Sequence, residues 1–210
     1  MSLKKLLLSV EKLKKGRVKR LVDARMKEFR ENGKKQSREI FKELCFCILT
    51  ANFNAEKSIK IQKEMGEGFL TLSESRLAKK LKELGHRHPN KRAGYIALAR
   101  KYRDSLKGII KRFDDESESR EWLVKNIKGI GYKEASHFLR NMGYENLGVI
   151  DFHIADLLAR HKLIEKPRAL TKRKYLEIEE LLRKIGGKLN LNLAELDLYL
   201  WYMETGKVLK

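Results

Sequence analysis

The sequence predicts an all-α protein of about ten or more short helices, arranged as two helical lobes with a central cleft. Three observations carry this. Apolar residues recur at three- and four-residue spacing in almost every segment, the period of a helix with one buried face. No Asn-Gly hairpin joins two β-branched alternating segments. The two prolines, Pro89 and Pro167, both read as inter-helix turns. One lobe is expected at roughly 37–113, the other at roughly 1–36 plus 114–210, with a helical hairpin at 117–142.

In chain order, Leu3, Leu6, Leu7, Val10 and Leu13 form a first stripe. The segment "REIFKELCFCILTA" is apolar on most sides and reads as a central buried helix. The most basic internal run is "GHRHPNKRAGYIALARKYR". "SESREWLVKNIKGIGYKEASHFLRNMG" resolves as helix, turn, helix: Trp122, Leu123 and Ile127 line the first, and Ala135, Phe138, Leu139 and Met142 the second. Tyr175, Ile178, Leu182 and Ile185 make a later stripe, opened by Thr171 and expected to stop at Gly186–Gly187. "LAELDLYLWY" carries leucines at 196, 198 and 200, a spacing that suits a strand. A helix is preferred, because a lone strand would have no partner in this chain.

Charge narrows the function. Lys and Arg number 48 against 28 acidic residues, a formal net charge of +20. Such a balance repels itself unless a polyanion neutralises it, so nucleic acid is the expected partner. A solvated, thermophile-like surface would explain the abundance of charge but not its imbalance. The only cysteines, Cys45 and Cys47, stand two apart and point to different sides of a helix. They make a poor disulfide and a poor chelate, as expected of a reduced intracellular protein with buried thiols. The N-terminal apolar run is too short for a signal peptide, and no stretch reaches the length of a membrane span.

The chemistry concentrates in "NIKGIGYKEASHFLRNMGYENLGVIDFHIADLLARH". Gly129 and Gly131 flank Ile130, which would plug the core, and let backbone N–H groups approach an anion. Together with the following helix N-terminus they form a phosphate seat; an ordinary αα-corner with a glycine cap is the plainer alternative. Lys133 falls in the first turn of that helix, where the positive end of the dipole disfavours the protonated amine. A free amine suits Schiff-base chemistry, though a simple phosphate contact is open too. Asp151, eighteen residues later, can cap the next helix and stay charged.

These residues resemble a known family. "KGIGYKEASHFLRNMGYENLGVIDFHI" is similar to the helix-hairpin-helix DNA glycosylase superfamily, whose DNA-binding hairpin ends in Gly-x-Gly-x-Lys before a Gly/Pro-Asp loop. Here the loop is Gly-Val-Ile-Asp, without the proline. "ILTANFNAEKSI" and "GHRHPNKRAGYIALAR" also match, and the likeness covers roughly Ser37 to Lys210. The short chain, "KGIGYKEASHFLRN" and the ending "DLYLWYMETGKVLK" most resemble the archaeal-type (type 2) 8-oxoguanine DNA glycosylase/AP lyase family. The clustered C-terminal cysteines of iron–sulfur relatives are missing, so no iron–sulfur cluster is expected.

The resemblance implies a base-excision enzyme on damaged double-stranded DNA, needing no cofactor or metal and no membrane, with a monomer sufficing, in the cytoplasm with the nucleoid. Lys133 would attack C1′ and Asp151 would steady the developing sugar cation. Asn52 would fill the gap beside the estranged base, with Asn54 second. His153, Lys91 and Arg92 would meet phosphate. Lys210 with its terminal carboxylate, Trp201 and His88 would read the extruded purine. Two alternatives remain: a sister glycosylase for another lesion, and a non-enzymatic hairpin module that grips DNA.

Overall fold

The computed structural model describes residues 2–210, and among them there is no β-strand. The helices are α1 (Leu3–Lys14), α2 (Arg17–Lys34), α3 (Ser37–Thr50), α4 (Ala55–Met65), α5 (Gly68–Thr71), α6 (Glu74–Glu83) and α7 (Pro89–Ala99). A 3-10 turn over Arg100–Tyr102 leads to α8 (Leu106–Ile110), α9 (Glu116–Asn126), α10 (Tyr132–Asn141), α11 (Phe152–Arg160), α12 (Lys172–Leu189) and α13 (Leu193–Thr205). The chain forms two compact units: residues up to Arg30 with Gly143–Lys210, and Glu31–Met142. The hairpin thus groups with the middle of the chain, whereas the sequence expectation grouped it with the termini; α10 packs on α3, which pulls it there.

The Glu31–Met142 unit is built around α3, with α4, α5, α7, α8 and α10 against it. Every residue of α3 from Ile40 to Thr50 is buried except Lys42, as an all-round apolar helix requires. Its one buried acid, Glu43, accepts hydrogen bonds from Gln62 Nε2 (3.0 Å) and from Asn141 Nδ2 (2.7 Å), which tie α3 to α4 and α10. Both cysteines are buried and neither is in a disulfide, and burial pushes the Cys45 thiol well up. Pro89 is not in a turn as expected: it opens α7, where its missing N–H costs nothing.

The terminal unit packs α1 against α12 and α13, and α13 against α11 and α12. Tyr175, Ile178, Leu182 and Ile185 are its buried stripe on α12, which Thr171 caps through Lys174 N–H. The expected stop at Gly186–Gly187 is wrong. The helix runs on to Leu189 and ends at Asn190, which takes the left-handed conformation (φ 52°). Gly186 serves close approach instead, since a Cβ there would lie 2.7 Å from the Leu191 carbonyl oxygen. The ambiguous "LAELDLYLWY" is helical, fixed by a reciprocal cap between Asn192 and Glu195. Its alternate leucines all find burial because the helix is enclosed on nearly every side from Leu193 to Leu200.

Candidate active site

The hairpin turn is set by Gly129. Its φ is +87°, and a Cβ there would lie 2.1 Å from the Tyr95 ring, so both conformation and space demand glycine. Gly131 differs: its φ of −102° is open to any residue. It precedes α10, and its N–H donates to Glu134 Oε2 at 3.3 Å, while Ile130 is buried beneath the turn. Lys133 is the second residue of α10, its side chain 23% exposed. The nearby Glu134 carboxylate lies 3.9 Å from Lys133 Nζ, beyond hydrogen-bond reach.

Cations surround the turn's aromatic neighbour. Lys91 Nζ, Lys128 Nζ and the Arg92 guanidinium carbon stand 6.0, 5.9 and 5.8 Å from the Tyr95 ring centre. Lys91 and Lys128 are exposed, so their charges form a rim beside the turn. Arg92 is not part of that rim, contrary to expectation. It is buried, and it donates through Nη2 to the Ala51 carbonyl.

That carbonyl belongs to the turn after α3, where Asn52 is exposed and left-handed (φ 56°). Two further contacts brace the turn: buried His86 bonds the Leu49 carbonyl through Nε2 (3.1 Å), and the Phe53 ring lies 4.2 Å from the imidazole. His86 Nδ1 accepts the His88 N–H at 3.0 Å, so Nε2 carries the proton, and burial holds this imidazole below the ordinary histidine range. His88 itself precedes α7 and is half-buried. Asn54, the second wedge candidate, is committed elsewhere: its side chain caps α4 through Lys57 N–H at 3.0 Å.

In the terminal unit, residues Leu147–Ile150 are buried without regular structure and lead to half-buried Asp151. Asp151 Oδ1 accepts the Ile154 N–H at 3.0 Å, the expected N-cap of α11. Phe152 follows, 52% exposed despite its size. His153 is exposed, and its ring meets Trp201 edge-on at 5.5 Å. Trp201 is half-buried, with its Nε1 enclosed and unbonded. Beyond Gly206, which closes α13 with a left-handed φ of 70°, Val208, Leu209 and Lys210 are half-buried. Thr205 accepts the Lys207 N–H at 3.3 Å and so guides the tail off the helix.

Within each unit, then, the candidates converge in groups: Lys91, Arg92 and Gly129 about Tyr95, and His153 with Trp201. Sequence reasoning passed over Tyr95, Lys128, His86, Tyr175 and Glu179. His86 lies two residues from the histidine chosen, and Tyr175 looked like plain core. Among the described residues there is no cluster of three potential metal ligands, and no helix is long and apolar enough to cross a membrane.

A family model described as 8-oxoguanine DNA glycosylase matches residues 22–191. The chain belongs to that family. Among its curated members, the 8-oxoguanine DNA glycosylase/AP lyase of Methanocaldococcus jannaschii is 55% identical over 206 residues, spanning 98% of this chain and 99% of that protein. The Korarchaeum cryptofilum enzyme of the same name is 54% identical, covering 96% of each. A crystal structure of the Methanocaldococcus jannaschii 8-oxoguanine glycosylase/lyase, in complex with a 15-mer DNA containing 8-oxoguanine, matches with a TM-score of 0.96 over 98% of this chain and 100% of that one. The 8-oxoguanine DNA glycosylase structure from Thermotoga maritima matches with a TM-score of 0.93 at 46% identity, over 99% of this chain and 100% of that one.

Proposed function

We propose that this protein excises 8-oxoguanine from duplex DNA and cuts the strand at the resulting abasic sugar, as a DNA glycosylase/AP lyase of base excision repair. One observation carries the reading: an amine, Lys133 Nζ, stands in the first turn of the second helix of a glycine-turned hairpin, with the Glu134 carboxylate at ion-pair distance, 3.9 Å, but not hydrogen-bonded. The family match over residues 22–191 supports the substrate class.

A glycosidic bond inside a base stack is out of reach, so the damaged nucleotide is extruded first. Unstacking costs a few kcal/mol, offset by phosphate contacts and by a side chain that fills the gap. Lys91, Lys128, His153 and the turn at Gly129 supply the phosphate contacts, the Gly131 N–H being given already to Glu134. Asn52, held outward by Arg92 and His86, fills the gap. Arg92 therefore acts through the turn rather than on phosphate.

Lys133 Nζ attacks C1′ as the bond to the base breaks, and the Asp151 carboxylate offsets the positive charge that develops on the sugar. The amine loses its protons and the sugar ring opens to an imine between Nζ and C1′. The imine acidifies C2′; a proton leaves that carbon, the C3′–O bond breaks, and the 3′ phosphate departs. Water then hydrolyses the imine and returns the lysine. Trp201 offers a stacking face for the extruded purine, and Lys210 and His88 are the further candidates for reading the N7–H that distinguishes 8-oxoguanine from guanine. A monomer without an iron–sulfur cluster, working in the cytoplasm on the nucleoid, belongs to the same proposal.

Borohydride reduces such an imine to a stable amine. Incubated with an 8-oxoguanine duplex and borohydride, the intact protein should form a covalent DNA adduct, and Lys133→Gln should form none. An adduct that persists in Lys133→Gln overturns the lysine assignment; equal nicking of duplexes with oxidised pyrimidines overturns the substrate.

A further inference from the structure

The loop that ends at Asp151 is buried yet has no helix or sheet to satisfy its backbone, a state that costs free energy unless side chains step in. One face of α12 does so in register. Arg183 Nη2 donates to the Asn146 carbonyl at 3.1 Å. Glu179 Oε1 accepts the Gly148 N–H at 2.8 Å. The Tyr175 hydroxyl donates to the Gly148 carbonyl at 2.5 Å and accepts the Ile150 N–H at 3.3 Å. Side chains four apart on the helix thus hold loop residues two apart. The steps agree because four helical residues advance about 6 Å and two extended residues about 6.6 Å. The series runs toward Asp151, and its last bond is made one residue before it.

We infer that Tyr175 and Glu179 are positioning residues for the Asp151 carboxylate, acting through the backbone of Gly148 and Ile150. The inference rests on the proposed role of Asp151. The Asp151 side chain is fixed at one end by its cap to Ile154 N–H; its own backbone is fixed at the other by this zipper. Both tethering residues are nearly fully buried, at 2% and 5% exposure, so neither is expected to touch DNA. Displacing a catalytic group by about 1 Å costs on the order of 10²-fold in rate.

The test uses the full-length protein with an 8-oxoguanine duplex, comparing duplex affinity with the single-turnover rate of base release. Tyr175→Phe keeps the ring and removes both loop bonds. It should slow base release by roughly 10- to 100-fold while affinity stays within about twofold. Glu179→Gln retains an acceptor oxygen and should stay near the parent rate, whereas Glu179→Leu, which has none, should be slow. Arg183→Ala, at the far end of the zipper, should change neither quantity. The deciding readout is a double-variant cycle. In an Asp151→Asn background, Tyr175→Phe should slow the residual reaction no further, because its effect passes through the missing carboxylate. An equal further loss in that background, or a parent-like rate for both Tyr175→Phe and Glu179→Leu, overturns the inference while Asp151 keeps its role. A fully active Asp151→Asn overturns the role itself, and the inference with it.

Discussion

The two candidate catalytic residues are held in place by opposite means. Lys133 sits on a hairpin fixed by its own backbone: a left-handed glycine at 129, buried Ile130, and a helix that starts two residues before the end of its first turn's charge cluster at Lys133–Glu134. Asp151 ends a loop whose backbone is fixed by side chains 25 to 37 residues further along the chain. The turn of the hairpin is therefore set mainly by its own residues and is intolerant at one glycine, which packs on Tyr95. The loop is a long-range device, with its sensitivity moved onto α12.

The largest expected effect tests the chemistry at both ends of this contrast. Lys133→Gln should lower strand cleavage by on the order of 10³-fold or more, measured in single turnover on an 8-oxoguanine duplex, with duplex binding preserved. Asp151→Asn retains a good capping residue, so α11 should survive in the circular dichroism spectrum while the rate falls for loss of charge.

Next comes the hairpin's glycine. Gly129→Ala forces a side chain into a left-handed backbone, costing about 1–2 kcal/mol, and into the Tyr95 ring, costing about 1–3 kcal/mol more. Thermal unfolding should show a clear drop in Tm, and an unchanged Tm would mean that the turn is less rigidly specified than its geometry says. The rim charges carry a smaller effect. Lys91→Gln and Lys128→Gln should each weaken binding to damaged and undamaged duplex alike, and each should lower the slope of log affinity against log salt by about one.

The smallest effect sharpens the comparison most. A Cβ on Gly148 would meet Glu179 and Ile150 atoms at 3.5 to 3.6 Å, ordinary contact distances. Gly148→Ala should therefore change stability by no more than about 0.5 kcal/mol, in contrast to Gly129→Ala. A collapse of folding on adding this one methyl would show that the loop, like the hairpin, depends on its glycine.

The hairpin was readable from sequence because its determinants are neighbours: two glycines, a lysine and an apolar stripe within one short stretch. The cap by Asp151 was readable for the same reason. Other features were not. "IGG" looks like a helix stop, yet the helix passes through Gly186 because another strand of chain, at Leu191, needs the room. Arg92 looks like one more phosphate contact in a basic run, but burial commits it to the Ala51 carbonyl. Asn52 and Asn54 look equivalent until the backbone makes one a left-handed outward turn and the other a cap.

By itself, the sequence determined the helical class, the hairpin and a charge that calls for a polyanion, and it singled out the lysine and the aspartate as candidates. Helical periodicity, glycine turns and net charge are local or additive properties, and they survive without knowing the fold. Tertiary structure alone decided which buried polar groups brace the site: His86 and Arg92 at the Asn52 turn, Tyr175 and Glu179 at the aspartate loop. Each pairs a side chain with a backbone group 25 to 41 residues away, and no spacing rule connects residues that only packing brings together.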